Sequence, residues 1–125
     1  MSHTLTITFG RSVNTGPSLL HPTGELCAAS WSDYRAFTRA ACERHLDRPS
    51  VVLEATGEGT WVDEVTGETI AEESAVLVVL VPTLAGIDGL RARLVTLASA
   101  YRQDAIGVTV GTTDLVAGRS ADEPF

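Results

Sequence analysis

The sequence predicts a single α+β domain with the ferredoxin-like split βαβ fold, in which two helices cover one face of a four-stranded antiparallel sheet. Segments with strand or helix periodicity follow one another in the order β-α-β-β-α-β. Short right-handed connections between elements in this order place strands one and three at the centre of the sheet. The seven-residue apolar run Ala75 to Val81 falls on the third strand, where burial on both faces is expected.

The first strand is predicted from Thr4 to Phe9, because polar and apolar residues alternate there. It ends at Gly10. The connection that follows, from Arg11 to Glu25, is rich in Gly, Pro, Ser, Asn and Thr and is unusually long for a compact domain. Connections of this kind are often functional, and the sequence does not reveal the path or the role of residues 11–29.

The first helix is predicted from about Trp31 to about Leu46, with Ser30 as its N-cap. Pro49 marks its far boundary. Residues that recur at helical spacing predict the buried face of this helix. They are Trp31, Tyr34, Phe37, Ala41 and His45.

A long hairpin with a turn at Thr66-Gly67 is predicted next. Its first strand starts at Ser50, is interrupted by a bulge or bend at Gly57-Glu58-Gly59, and resumes as far as Val65. Folding back around the turn is expected to set Trp61 near Glu72 and Leu53 near Leu80.

The second helix has the clearest periodicity in the chain and is expected to stop near Gln103. Its apolar face comprises Ile87, Leu90, Leu94, Leu97, Ala98 and Tyr101. A last strand is predicted from Ala105 to Val110. The single domain is thus expected to span residues 1–117, followed by a flexible acidic tail at 118–125.

The face of the sheet that carries no helices is where function or assembly is expected. It combines the strand-one threonines with Gly107, Thr109 and alternate Val or Leu residues of strand three, so it is only half polar. Such a face is commonly covered by the same face of a second copy. We therefore expect a homo-oligomer, most simply a homodimer.

Charge argues against two classes of partner. The chain of 125 residues has 16 acidic and 9 basic side chains, for a net charge of −7. The segment Pro49 to Leu90 contains eight of the acidic residues and no basic one. Nucleic acids and anionic membranes both need clustered Arg or Lys, so we expect neither as a partner.

The compartment is expected to be the cytoplasm. The start Met1-Ser2-His3-Thr4 lacks a basic region followed by an apolar stretch, which predicts no signal peptide, and the longest apolar run is too short to cross a bilayer. Cys27 and Cys42 are then expected to be free thiols.

No strong catalytic or cofactor motif is present: GxGxxG, the phosphate loop, HExxH, CxxC and GxSxG are all missing. His21, Cys27 and His45 do not form a set with metal-ligand spacing, and a loop thiol with exposed histidines is the favoured interpretation. The acidic residues around the hairpin turn do not match a calcium loop. We expect no metal and no cofactor.

The candidate site centres on the pair Glu72-Glu73, which precedes the apolar run. Strand alternation turns one of the two inward, and an inward carboxylate needs a partner, for which Arg11 is the nearest candidate. Trp61 follows a Gly-rich segment and is expected at the rim of a pocket or interface. With Gln103 these residues form either a cluster that binds a small ligand or a structural hydrogen-bond network.

Several short motifs resemble an uncharacterised family of short α+β proteins of actinobacterial phages and their hosts. They are Phe9-Gly10-Arg11, Trp31 opening a helix with Phe37, Glu72-Glu73-Ser74 and Tyr101-Arg102-Gln103. The resemblance covers residues 4 to 112 or so and adds Tyr101 to the candidate residues. It implies a compact α+β domain and a phage or accessory-gene setting, with no known activity.

Two functions remain open from the sequence. The first is a non-catalytic binding module that acts as a homo-oligomer on a host protein or sequesters a small ligand such as a signalling nucleotide. The second is a small dimeric α/β-barrel enzyme that acts on a hydrophobic substrate between helices and sheet. An enzyme of that type needs a titratable residue in that space, and the second helix offers only apolar residues and Tyr, which favours the module.

Overall fold

The predicted order of strands and helices is confirmed. A computed structural model describes residues 2–14, 16, 19, 21, 23–63, 65–116 and 118. The elements in chain order are β1 (Ser2–Gly10), α1 (Ala28–His45), β2 (Ser50–Val62), β3 (Thr69–Val81), α2 (Ile87–Ala100) and β4 (Gly107–Thr113).

The sheet has the strand order β2-β3-β1-β4, and every neighbouring pair is antiparallel. This is the ferredoxin-like arrangement that the sequence predicts, with β1 and β3 at the centre. Leu5, Ile7 and Phe9 of β1 are 0, 0 and 5% exposed, because they face the helices. The intervening threonines of β1 face the opposite side, which we call the open face.

Both helices pack on the same side of the sheet and complete one core. Their buried residues are Trp31, Tyr34, Thr38, Ala41 and Cys42 in α1, and Leu90, Leu94, Leu97 and Ala98 in α2. The predicted position of Phe37 on the buried face is wrong, since this side chain is 48% exposed. Thr38 takes the inward position instead, because its hydroxyl donates to the Tyr34 carbonyl at 2.8 Å and is satisfied there.

Helix α1 starts about one turn earlier than predicted. Its N-cap is Cys27 and not Ser30. The Trp31 amide already donates to the Cys27 carbonyl at 2.9 Å, so the first turn includes Ala28 and Ala29. Alanine has the highest helix propensity of all residues, and this extends the helix past the apparent capping signal of Ser30.

The β2–β3 hairpin forms as predicted, but its register differs by two residues. Trp61 pairs with Ile70 and still lies near Glu72, as predicted, because its indole donates to the Glu72 carboxylate at 2.9 Å. Leu53 pairs with Val78, two residues before Leu80. The turn closes between the Asp63 amide and the Glu68 carbonyl, at 2.8 Å, and its centre lies one residue earlier than expected.

The predicted interruption of β2 at residues 57–59 is also wrong. The strand is continuous there, and its irregularity lies between Val51 and Leu53. The last two elements are shifted slightly, since α2 ends at Ala100 and β4 begins at Gly107. The predicted acidic tail lies outside the described residues apart from 118. Among the described residues, no helix combines the length and apolarity that crossing a membrane requires.

Candidate ligand-binding cavity on the open face

A cavity of about 940 Å³ lies on the open face, at the end of the sheet where β1 finishes and β4 begins. Its floor is made of residues with little or no side chain. Gly57 of β2 pairs with Ser74 of β3, which pairs with Gly10 of β1. Gly107 lies on the neighbouring strand β4, where it pairs with Thr8 of β1. These residues contribute little side chain of their own to the floor, and among the three glycines Gly57 has open space above it.

Neighbouring side chains occupy the space above three of the glycines that line the cavity. A Cβ atom on Gly10 would overlap the carboxylate of Glu72. A Cβ atom on Gly59 would overlap the hydroxyl of Ser74, and one on Gly107 would overlap the hydroxyl of Thr8. These glycines make room for the polar side chains that border the cavity.

Glu72 is the organising residue of the cavity. Its Oε1 accepts a hydrogen bond from the Trp61 indole Nε1 at 2.9 Å, and its Oε2 accepts one from the Ser12 amide at 2.7 Å. The carboxylate thereby connects β3 with β2 and with the segment that follows β1. The same contact orients the Trp61 ring, which is 44% exposed and lines the cavity.

The wall next to β1 is built from two chain segments that bind each other. The Asn14 amide donates to the Arg102 carbonyl at 2.8 Å, and the Gln103 side-chain Nε2 donates to the Ser12 carbonyl at 2.8 Å. The Asn14 side chain also donates to Asp104 at 3.0 Å. This double wall gives the described part of the 11–29 connection a defined position beside the cavity.

The cavity is acidic. The acidic residues that line it are Glu58, Asp63, Glu72 and Asp104, of which Glu58 contributes through its backbone because strand alternation turns its side chain to the face of Glu73. No Arg or His is among the described lining residues, and the chain contains no Lys. Clefts lined by charges of one sign focus the potential, so this cavity attracts cations and repels anions.

Arg11 and Glu73 form an ion pair beside the first turn of α1 and do not line this cavity. The Arg11 Nη1 lies 2.7 Å from the Glu73 Oε2, and the Arg11 Nε donates to the Leu26 carbonyl at 2.7 Å. Trp31 donates its indole N–H to Glu73 at 3.2 Å. The Arg11 guanidinium and then this indole hold the pKa of Glu73 below its ordinary value.

Tyr101 also lies apart from the cavity. Its ring stacks on the buried Tyr34 ring at 4.8 Å between centroids and 13° between planes. Partial burial and then the nearby Asp33 charge raise the pKa of Tyr101. The six candidate residues thus divide into two groups. Trp61, Glu72 and Gln103 line the cavity, whereas Arg11 and Glu73 connect the sheet with the start of α1 and Tyr101 packs on Tyr34.

The sequence did not indicate that glycines line a cavity, because Gly57 and Gly59 suggested a bend in the strand. The signal was their spacing. Two glycines separated by one residue in a strand face the same side of the sheet. In a strand that continues through them, they create a shallow surface and not a break.

The cysteines lie away from this cavity and are both free. Cys42 is buried, and burial raises the pKa of its thiol to about 12. Cys27 is exposed, and hydrogen bonds with Ser30 lower the pKa of its thiol. Within the described parts of the chain, no group of three or more His, Cys, Asp or Glu residues is arranged to hold a metal ion.

Comparison with known proteins gives matches at the level of structure alone. No protein-family model matches the chain, and no curated protein matches it. Among solved structures, a phage SAM lyase in complex with S-methyl-5′-thioadenosine is 17% identical, with a TM-score of 0.59 over 88% of this chain and 80% of the lyase chain. A phage SAM lyase in the apo state is also 17% identical, with a TM-score of 0.49 over 87% and 78%.

A Bacillus cereus protein related to NIF3 is 13% identical, with a TM-score of 0.46 over 91% of this chain and 26% of that chain. At these identities the likeness concerns the fold. The chain has the fold of the ligand-bound phage SAM lyase, which agrees with the α+β architecture predicted from the sequence.

Proposed function

We propose that this protein is a small binding module that holds a nucleoside-type ligand in the cavity on the open face. The observation that carries the proposal is the arrangement around Glu72. One carboxylate fixes an exposed indole on one side and the Ser12 amide on the other, in a cavity where the backbone of Gly57 is open. A volume of about 940 Å³ is within the range of small-molecule sites.

The floor and Trp61 favour a flat ring as part of the ligand. A planar heterocycle lies closely on a sheet surface that lacks side chains, and an exposed indole provides a face or edge for aromatic contact. The Nε1 of Trp61 is already bonded to Glu72, so the ring is held in position before a ligand arrives. A ring fixed in advance loses little side-chain entropy on binding.

The acidic lining selects among nucleoside-type ligands. A phosphate group would meet the carboxylates of Asp63, Glu72 and Asp104 with no basic residue among the described lining residues, so phosphorylated signalling nucleotides are disfavoured. An uncharged nucleoside or a cationic sulfonium nucleoside suits this charge. The ligand of the solved phage lyase, S-methyl-5′-thioadenosine, is an uncharged compound of this class and serves as the first probe.

Binding without chemistry is the favoured form of this proposal. The substrate space expected between helices and sheet is filled by Leu90, Leu94 and Leu97 of the core. In the open cavity, both oxygens of Glu72 already accept hydrogen bonds, which suits a fixed charge better than proton transfer. Because the solved neighbour is a SAM lyase, turnover of S-adenosylmethionine (SAM) is the second candidate and is measured alongside binding.

The proposed setting is a phage or accessory protein that acts in the cytoplasm as a homo-oligomer, with sequestration of the ligand or contact with a host protein as its outcome. The phage origin of the solved neighbour supports this setting. The open face beyond the cavity carries Leu53, which is 50% exposed, opposite Val78. A second copy is the proposed cover for these apolar side chains.

Calorimetric titration of the full chain tests the proposal with three ligands: S-methyl-5′-thioadenosine, SAM and adenosine monophosphate. We expect at least one of the first two to bind with a Kd of about 1–100 µM. The monophosphate should bind about tenfold more weakly or worse. Mass spectrometry of the SAM sample after incubation reports any cleavage.

Two variants serve as a matched pair in this titration. Trp61→Ala should weaken binding about tenfold, whereas Val62→Ala, which changes the exposed neighbour on the other side of the strand, should not. Absence of binding by both S-methyl-5′-thioadenosine and SAM would overturn the proposal. Cleavage of SAM would replace the binding module with the enzyme.

A further inference from the structure

We infer that Gly57 determines the specificity of the cavity, because the missing side chain at this position lets the flat part of the ligand lie on the sheet. The inference rests on the proposed function and deepens it. It names both the part of the ligand that is recognised and the residue that admits it.

Gly57 differs from the other glycines of the floor. At Gly10, Gly59 and Gly107 the space of a Cβ atom is already occupied by a neighbouring side chain. A Cβ atom on Gly57 meets no atom within 4 Å and would project into the cavity. Packing therefore does not explain why this residue is glycine.

Backbone conformation does not explain it either. The glycines with positive φ are Gly16, Gly24, Gly67 and Gly86 among the described residues, and Gly57 is not one of them. It lies inside β2 with regular pairing to Ser74. Glycine in a strand interior destabilises the strand relative to residues with side chains. Gly111 shares these properties, and what distinguishes Gly57 is that the space left empty above it belongs to the cavity.

The space above Gly57 fits the ring of a nucleoside. Gly57, Ser74 and Gly10 lie side by side across three strands, a width of about 9–10 Å. The Glu72 carboxylate lies over Gly10 and the Ser74 hydroxyl lies over Gly59, so Gly57 is the open position of this row. Trp61 and Glu72 also line the cavity, so a planar ring placed on Gly57 shares the cavity with an indole and a carboxylate.

A pair of glycine variants separates this role from effects on folding. Gly57→Val puts a branched side chain into the cavity. Gly111→Val is the matched control: Gly111 also lies in a strand on the open face, without positive φ and with no atom within 4 Å of its Cβ position, but it does not line the cavity. Valine favours strands, so both variants should keep or raise the melting temperature of the wild type.

The readout is calorimetric titration of each full-length variant with whichever of S-methyl-5′-thioadenosine and SAM the wild type binds more tightly. We expect Gly57→Val to weaken binding about tenfold or more, Gly57→Ala to weaken it less, and Gly111→Val to stay within about twofold of the wild type. If Gly57→Val fails to fold, the comparison of Gly57→Ala with Gly111→Val decides the question, and we expect Gly57→Ala to bind the ligand more weakly than Gly111→Val does.

Three results would count against the inference. Equal binding by the wild type and the Gly57 variants would overturn it while leaving the proposed function in place. Equal loss in Gly57→Val and Gly111→Val would show a general effect on the sheet and would overturn it as well. A wild type that binds neither compound would overturn both the inference and the proposed function.

Discussion

Two adjacent carboxylates on β3 have different tasks because strand alternation turns them to opposite faces. Glu72 faces the cavity and fixes Trp61, and Glu73 lies beside α1 and pairs with Arg11. The sequence predicted that one of the two pairs with Arg11. It did not show which, since the answer depends on the path of the chain after Gly10.

Replacing Arg11 with Ala should lower the stability of the protein, because it removes the ion pair with Glu73 and the hydrogen bond to the Leu26 carbonyl. Arg11 is only 21% exposed and Glu73 39% exposed, so a loss of about 1–2 kcal/mol in the free energy of unfolding at pH 7 is expected. Urea unfolding measures it. Arg91→Ala, which removes an exposed 3.9 Å contact with Asp88, is the control and should change the free energy by less than about 0.5 kcal/mol.

The effect of Arg11→Ala should also depend on pH. The folded-state pKa of Glu73 lies below the ordinary value of 4.5, so the ion pair stabilises the protein above that value and is lost as the pH falls through the lowered one. The difference in stability between wild type and Arg11→Ala should therefore shrink below pH 4.5. A difference that stays constant down to acid unfolding would assign the stabilisation to the Leu26 hydrogen bond alone.

At the scale of elements, the end of α2 places one wall of the cavity. Arg102 has a φ of 57° in the left-handed region, and the Gln103 amide donates back to the Ala98 carbonyl at 2.8 Å. This is the Schellman arrangement, in which glycine is the usual residue at the left-handed position. The turn directs Gln103 towards Ser12, where its side chain closes the wall.

Arg102→Gly should stabilise the protein by about 0.5–1 kcal/mol, since glycine adopts the left-handed conformation without steric cost. The contact of Arg102 with the cavity wall is the hydrogen bond from the Asn14 amide to the Arg102 carbonyl, and the substitution keeps this carbonyl. Arg93→Gly, in the interior of the same helix, is the opposite control and should destabilise the protein by about 1 kcal/mol. Thermal unfolding of both variants measures the difference. A loss of stability in Arg102→Gly would show that the arginine side chain contributes more than its strained backbone costs.

The type and order of the elements could be predicted because each has a local periodicity. Their details depend on contacts that are distant in sequence. The interruption expected at Gly57 and Gly59 does not occur, because the Ser74 side chain of the neighbouring strand occupies the space beside Gly59. The hairpin register differs from the predicted one by two residues because the turn closed by Asp63 and Glu68 is centred one residue before the predicted centre.

At the scale of the molecule, the sequence predicted that the open face carries function or assembly, but not where on it a cavity forms. The cavity needs Ser12 and Gln103, which are 91 residues apart and meet through a hydrogen bond. The conformation of the connection after Gly10 has no periodic signal in the sequence. Three of the six residues selected from residue chemistry, namely Trp61, Glu72 and Gln103, nevertheless line the cavity.

The apolar part of the open face leads to a prediction about assembly. Light scattering at micromolar concentration should give about twice the chain mass of 13.2 kDa. Leu53→Asp should restore the single-chain mass, whereas Val95→Asp, at a 68% exposed apolar residue of α2, should leave the assembly intact. A mass of 13.2 kDa for the wild type would mean that the open face is not covered by a second copy.

The central claim is that the open-face cavity binds a nucleoside-type ligand, and amide NMR during a titration with S-methyl-5′-thioadenosine tests it most directly. We expect the Trp61 indole signal and the amides of Gly10, Gly57 and Gly59 to shift together with one saturation curve. The signals of Trp31 and Gly86, which lie away from the cavity, should stay in place. Shifts confined to residues outside the cavity, or no shifts at saturating ligand, would contradict the claim.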